Sequence, residues 1–514
     1  MQLALSRRRI IDGEDAKGQP VPINFIPNDP LAMQFAPMRR TAPRPNRPAS
    51  KAGFQFFGAS PQGAFQPGTP EFLFWQCREA ALISINVWEQ LHASLASWSV
   101  EAVNPKKLKL VQDGGDDLNA FYDREHLAFF HHKTGTLTTF SGASTDVVAH
   151  EAGHAFLDLL RPELFVSNLT EQGAFHEAFG DCIAILVALF DSKIRTALLG
   201  VTPDLGAANF VEGTAEDLSD AVRLELGAGH PAAKPRRALN TFQFQLPTSL
   251  PTSGPPDRLT SEIHSFGRLF SGCFYDTVRN IFNGAPGTKN EAALLRAAKT
   301  AGKLLVKGAA QAPLAVRYFQ SVGRAMVLAD AATSGGVNRT AIGQAFAGHG
   351  VQLGSSSALL PKAGLAGSPP KAGKPAGALG RATLKDIRER LRASPGARFS
   401  VTPIALGSVR ASEVLHHRAV PLGGLSAKLK GVVALAPEAV VVGGSGRAAA
   451  VFSAMPDRST TADEVATFVR TLLAHHRIDF GEAKPPKLAS LPTHRIITKR
   501  GKKILIRTRF LCGR

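Results

Sequence analysis

The sequence predicts an α+β chain: short strands and a helical body in its first two-thirds, then a small basic α/β unit. Three observations predict it. Apolar residues recur at helical spacing in many segments from residue 71 to 348, interrupted over 108–140 by a Gly-punctuated stretch of strand character. A Gly/Pro/Ala/Ser-rich run, 354–380, divides the chain. The charge divides at the same place: residues 354–514 carry a surplus of 18 positive charges, residues 1–353 a surplus of 1. A chain of 514 residues exceeds one typical core. The reading is therefore an irregular Pro/Arg/Gly-rich arm over 1–68, a main unit over 69–353, a linker over 354–380 and a basic mixed unit over 381–514.

In the main unit, Phe74, Trp75, Leu82, Ile85 and Trp88 predict a helix over about 71–92. Thr145 and Asp146 mark the start of a helix over 145–160, and further helices are expected over 172–190 and 264–282. In the last of these, Phe266, Phe270, Phe274, Val278 and Ile281 share one face. Helices are also expected near 290–308, 314–332 and 339–348. The basic unit offers a helix over 461–475 and a terminal hairpin in which Ile504, Ile506, Thr508 and Phe510 alternate with Leu505, Arg507 and Arg509.

The four cysteines, Cys77, Cys182, Cys273 and Cys512, are far apart and form no CxxC pair, so neither a disulfide framework nor a cysteine zinc site is expected. No run approaches eighteen apolar residues and none of signal length opens the sequence; no membrane span is expected. The default expectation is a cytoplasmic chain, with secretion by another route left open.

The chemistry concentrates in His150-Glu151-Ala152-Gly153-His154. On a helix, residues i and i+4 share a face, so both imidazoles reach one cation, and Glu151 is placed to take a proton from metal-bound water. Zinc, one per chain, is the natural metal for such a site. Gly153 is unfavourable inside a helix, which favours a functional reading over two incidental histidines. Seventeen residues past His154 begins Glu171-Gln-Gly-Ala-Phe-His-Glu177-Ala-Phe-Gly-Asp181.

With these two segments the chain resembles the thermolysin-like family of zinc metallopeptidases, the gluzincins, over roughly residues 70–353. The resemblance implies a thermolysin-like unit of edge-strand sheet, active-site helices and C-terminal helical bundle. It makes Glu177 the third metal ligand beside His150 and His154, and Asp181 the carboxylate that orients a ligand histidine; by physical reasoning that histidine is His150. Asn119-Ala120-Phe121-Tyr122 resembles the family's edge-strand segment, where Asn119 and Ala120 would bind substrate backbone. His264, in Glu262-Ile-His264-Ser-Phe-Gly, matches the histidine that stabilises the oxyanion or protonates the leaving group, with Asp257 or Glu262 as its acidic partner. Arg237 resembles the arginine that holds the substrate carbonyl, with Arg236 competing, and Val147 matches a residue of the apolar pocket for the residue after the cut. The family tyrosine is not evident, Asn168 lying near its place, and the acidic residues of a double calcium site are mostly missing although Asp146 remains; no double calcium site is expected. His176 is read as packed or hydrogen-bonded.

The implied activity is zinc-dependent endopeptidase cleavage of a peptide or protein substrate, with an apolar residue after the scissile bond, Glu151 acting as base and His264 assisting. The alternative is an inactive peptidase-like protein that binds an anionic partner, nucleic acid or acidic protein, through its basic C-terminal unit. Arg507 and Arg509, with Lys499, Arg500, Lys502 and Lys503 at the hairpin turn, are the expected patch.

Overall fold

The computed structural model describes residues 21–44, 49–57, 60–354, 380–391, 393–406, 409–443, 458–481 and 491–513. The expected linker lies almost wholly outside the described residues, as does the start of the arm. The rest of the arm carries three short strands: β1 (Ile23–Phe25), β2 (Arg39–Thr41) and β3 (Gly53–Phe56). Outside these strands and a 3-10 turn over Pro30–Ala32, its described residues form turns and irregular chain; strands of three or four residues among prolines carry too few alternations to read.

Strands β4 (Lys107–Val111), β5 (Ala120–Tyr122), β6 (His126–Phe129), β7 (His131–Thr134) and β8 (Leu137–Phe140) follow helix α1 (Pro70–Leu91). Thr69 caps α1, accepting from Phe72 N, and Pro70 occupies its first turn. Strands β3, β4 and β6 run parallel, and β5 pairs antiparallel with β6.

Helices α2 (Thr145–Leu160), α3 (Pro162–Phe165), α4 (Thr170–Leu189) and α5 (Ser192–Val201) come next. A small ladder of β9 (Gly213–Thr214) and β10 (Arg236–Arg237) brackets α6 (Glu216–Leu226). The helical body ends with α7 (Ile263–Gly284), α8 (Glu291–Gln311), α9 (Tyr318–Ser334) and α10 (Arg339–Gly348), close to the expected spans. One described helix, α4, is long and apolar enough to cross a membrane, but it is buried throughout as a core helix and carries Glu171, His176, Glu177 and Asp181.

Three glycines set how closely the site helices approach. A Cβ on Gly153 of α2 would lie 2.8 Å from Gly180 Cα of α4, and one on Gly267 of α7 would lie 2.8 Å from the Ala174 carbonyl oxygen of α4. The helical cost of Gly153 thus goes to backbone proximity.

The basic unit holds α11 (Arg381–Arg390), β11 (Ser400–Leu406), β12 (Val409–Pro421), β13 (Val432–Gly443), α12 (Arg458–Ala474), β14 (Ile478–Asp479), β15 (His494–Lys499) and β16 (Lys502–Arg507). The strands form a six-stranded sheet in the order β11-β12-β13-β16-β15-β14. The expected hairpin is β15–β16; Arg500 and Gly501 at its turn have φ of 51° and 74°, the left-handed pair that matches strand twist. Val465, Phe468 and Val469 of α12 pack with Leu505, Val432 and Ala434, in a cluster that also takes in Leu169 and Val316 of the helical body.

Beyond β16 the chain leaves this sheet. Strand β17 (Phe510–Leu511) pairs antiparallel with β5 and becomes the edge of the first sheet, whose order is β17-β5-β6-β4-β3.

Candidate metal centre and cleft

His150 and His154 sit one turn apart on α2, and Glu151 lies between them; all three are fully buried. Their ligand atoms fall within 4.8 Å of one another, an arrangement that could hold a metal ion. Glu177 of α4 faces the same point: its Oε2 lies 3.4 Å from His150 Nε2 and 3.7 Å from His154 Nε2. His150 Nε2, His154 Nε2 and both carboxylate oxygens of Glu151 and of Glu177 are buried without a hydrogen-bond partner among the described residues. Leaving such atoms unsatisfied is costly. A cation that takes nitrogen and oxygen ligands would satisfy them together, so the residues fit zinc.

Around these atoms lies a second set. Asp181 Oδ1 is 2.9 Å from His150 Nδ1, on the ring nitrogen opposite the metal-facing one. Burial alone would raise Asp181, but the Arg236 guanidinium and the His150 bond hold it down at about 2. Burial pushes Glu151 up to about 8, with His150 opposing and Glu177 adding to the rise. Burial also keeps His154 well below the ordinary imidazole range, in the neutral form that ligates metals. His176 Nδ1 lies 2.9 Å from His154 Nδ1, so His176 is a neighbour of the ligand.

His264 opens α7 with its ring held from one side by Glu262, whose Oε1 is 2.8 Å from Nδ1. Glu262 also caps α7, accepting from the backbone N–H of His264 and of Ser265. Of the two candidate acidic partners, the structure brings Glu262. Burial would lower His264, but the Glu177 and Glu262 carboxylates outweigh it and raise its pKa. His264 Nε2 stands 3.2 Å from Glu177 Oε2, on the same side of the site.

One expectation is corrected. Arg237 turns away from the site and pairs with Glu212 at 2.5 Å and Glu216 at 3.4 Å. Arg236 faces the site: its Nε donates to Asp181 Oδ1 at 3.1 Å, and its Nη2 lies 3.4 Å from His150 Nδ1. The two are neighbours on β10, and successive strand residues point to opposite faces. Asn168, near the place of the family tyrosine, instead donates to the Leu435 carbonyl of β13 at 3.0 Å.

Val147 is buried one turn before Glu151 on α2. Asn119 and Ala120 lie at the start of β5, and the groups expected to meet a peptide are in use. Cys512 N donates to the Ala120 carbonyl at 2.9 Å, and Gly513 N donates to Asn119 Oδ1 at 3.0 Å. Arg236 Nη1 donates to the Cys512 carbonyl at 2.9 Å, and His264 Nε2 lies 2.5 Å from the Leu511 carbonyl oxygen. Sequence reasoning missed this neighbour because nothing in a two-residue strand names a partner nearly four hundred residues away.

Of the expected basic patch, Lys499, Arg500, Lys502 and Lys503 are exposed at the turn. Arg507 is buried instead, with its guanidinium 4.1 Å from the Phe510 ring centroid. All four cysteines are free and buried. No family model matches the chain, and no curated protein matches its sequence.

Proposed function

We propose that the chain is a zinc-dependent endopeptidase of thermolysin-like type. One observation carries this reading: the metal-facing atoms of His150, His154, Glu151 and Glu177, buried and without hydrogen-bond partners, lie beside a strand whose backbone is engaged by extended polypeptide. His150, His154 and Glu177 would hold the zinc. Bound there, it would supply Lewis acidity toward a peptide carbonyl and its attacking water.

The remaining chemistry belongs to the chain's own residues. Glu151 takes the proton from the attacking water and passes it to the leaving nitrogen. His264 donates from Nε2 to the carbonyl oxygen as negative charge develops there, and Glu262 on the opposite ring nitrogen keeps that proton in place. Arg236 holds the next carbonyl along the substrate. Asn119 and Ala120 align the substrate as an added strand, and Val147 is compatible with an apolar residue after the cut.

The test is zinc content together with cleavage of a denatured protein, in chains carrying Gly513→Leu, which unseats the strand paired with β5, with Glu151 intact or replaced by Gln. We expect one zinc per chain in both and a cleavage rate lower by roughly 100- to 10,000-fold with Glu151→Gln. Absence of zinc, or equal cleavage by both, sinks the reading.

A further inference from the structure

The cleft is filled by residues 510–513 of the same chain. Phe510 and Leu511 pair with Tyr122 and Phe121 of β5, so β5 is not an edge. The backbone contacts continue in register past the strand. Leu511 offers its carbonyl to His264, Cys512 donates to Ala120 and accepts from Arg236, and Gly513 donates to Asn119. These four partners are the residues to which the peptidase reading gives the substrate backbone. The side chains fit as well. The Phe510 ring stacks on His176 at 3.9 Å and on His154 at 4.8 Å, and Phe510, Leu511 and Cys512 are almost wholly buried. A cavity of about 370 Å³ continues the cleft beyond Cys512 and Gly513, lined in part by Arg236, Glu262 and His264.

We propose that the segment Phe510–Gly513 is a tethered pseudosubstrate that keeps the cleft closed to other peptides, so that the full chain is latent until this strand is displaced. This rests on the peptidase reading for what is being inhibited. The occlusion itself rests on geometry: His150, Glu151, His154 and Glu177 are almost wholly buried while the segment is in place. Its seat is also shape-specific, because a Cβ on Gly513 would come within 2.2 Å of the Leu118 carbonyl oxygen, a backbone atom that cannot turn aside. The strand is held from behind by Arg507, stacked on Phe510, and by the sheet of which Arg507 is the last strand residue.

The experiment uses the zinc-loaded full chain carrying Glu151→Gln, which prevents turnover, with and without Gly513→Leu. A fluorescein-labelled, unstructured apolar decapeptide is titrated and its Kd read by anisotropy. Hydrogen exchange of residues 508–513 is followed in the Gly513 chain as the peptide saturates it. We expect at least tenfold tighter binding with Gly513→Leu, and loss of exchange protection at Cys512 when the peptide binds the Gly513 chain. Equal affinities, with tail exchange unchanged by bound peptide, overturn the proposal. Tighter binding with Gly513→Leu, but no cleavage by Gly513→Leu on the Glu151 background, would uphold the plug while removing the peptidase reading.

Discussion

Asp181 accepts from His150 and from Arg236 at once, and it is the carboxylate that decides which nitrogen of His150 faces the candidate metal centre. Replacing it with Asn keeps the shape and removes the charge, so the ring loses its fixed tautomer and part of its basicity. Asp181→Asn is expected to weaken zinc binding by roughly 10- to 100-fold in chelator competition. An affinity within threefold of wild type would count against Asp181 as the orienting group. At this scale the sequence is legible where spacing does the work. His150 with His154, and Glu177 with Asp181, are each i and i+4 on a helix, and that spacing alone turns each pair to one side. It is not legible where a single register step decides, as between Arg236 and Arg237: both are arginines, and the pairing of β10 with β9 alone gives Arg236 to the site.

Between elements, the contact of α6 with α2 and with the segment before β2 is built on carboxylates. Asp29 accepts from Asp217 N, and Asp146 accepts from Ala215 N. Burial raises Asp29, Asp146 and Asp217, Asp217 to about 6 with Asp220 and Asp146 adding repulsion. A carboxyl raised in the fold keeps a proton that the unfolded chain loses near pH 4. Its stabilisation is therefore full below about pH 4 and lost as pH rises through about 6. Asp217→Asn should match wild type at pH 4 and exceed it by roughly 1–2 kcal/mol at pH 8, a figure already reduced for solvent screening. Urea midpoints at the two pH values check this, and a difference independent of pH would refute it. Elements with long apolar repeats, such as α1, α4 and α7, are legible because many residues vote for one period. The strands β1, β2, β3 and β17 have two to four residues each, and long-range pairing defines them instead.

For the molecule as a whole, the basic unit is bound into the body through polar contacts that composition cannot reveal. Arg161, buried after α2, pairs with Glu413 of β12 at 3.0 Å, and the same carboxylate accepts from Leu314 N at 2.9 Å. Arg317 bridges Glu171 of α4 and Glu464 of α12, and the His475 ring lies 2.8 Å from the Thr252 carbonyl oxygen. Much of what reads as a detached positive charge thus sits on a unit that shares apolar clusters with the body. Glu413→Ala leaves Arg161 buried with only the more distant Glu163 carboxylate, at 3.6 Å, as counter-charge, which costs about 3 kcal/mol. Chemical denaturation should therefore show one cooperative transition shifted as a whole. A separate early transition for residues 381–513, with the remainder unshifted, would show that the two parts unfold independently.

Only Thr508 and Arg509 separate β16 from β17. So short a tether gives the closing strand an effective concentration in the millimolar range or above, fixed by geometry. Dilution cannot open such a cleft, and a free peptide of micromolar affinity competes poorly for it. What would open it is an event acting on the tether itself, such as a cut at Thr508 or Arg509, which turns a captive neighbour into a solute that diffuses away.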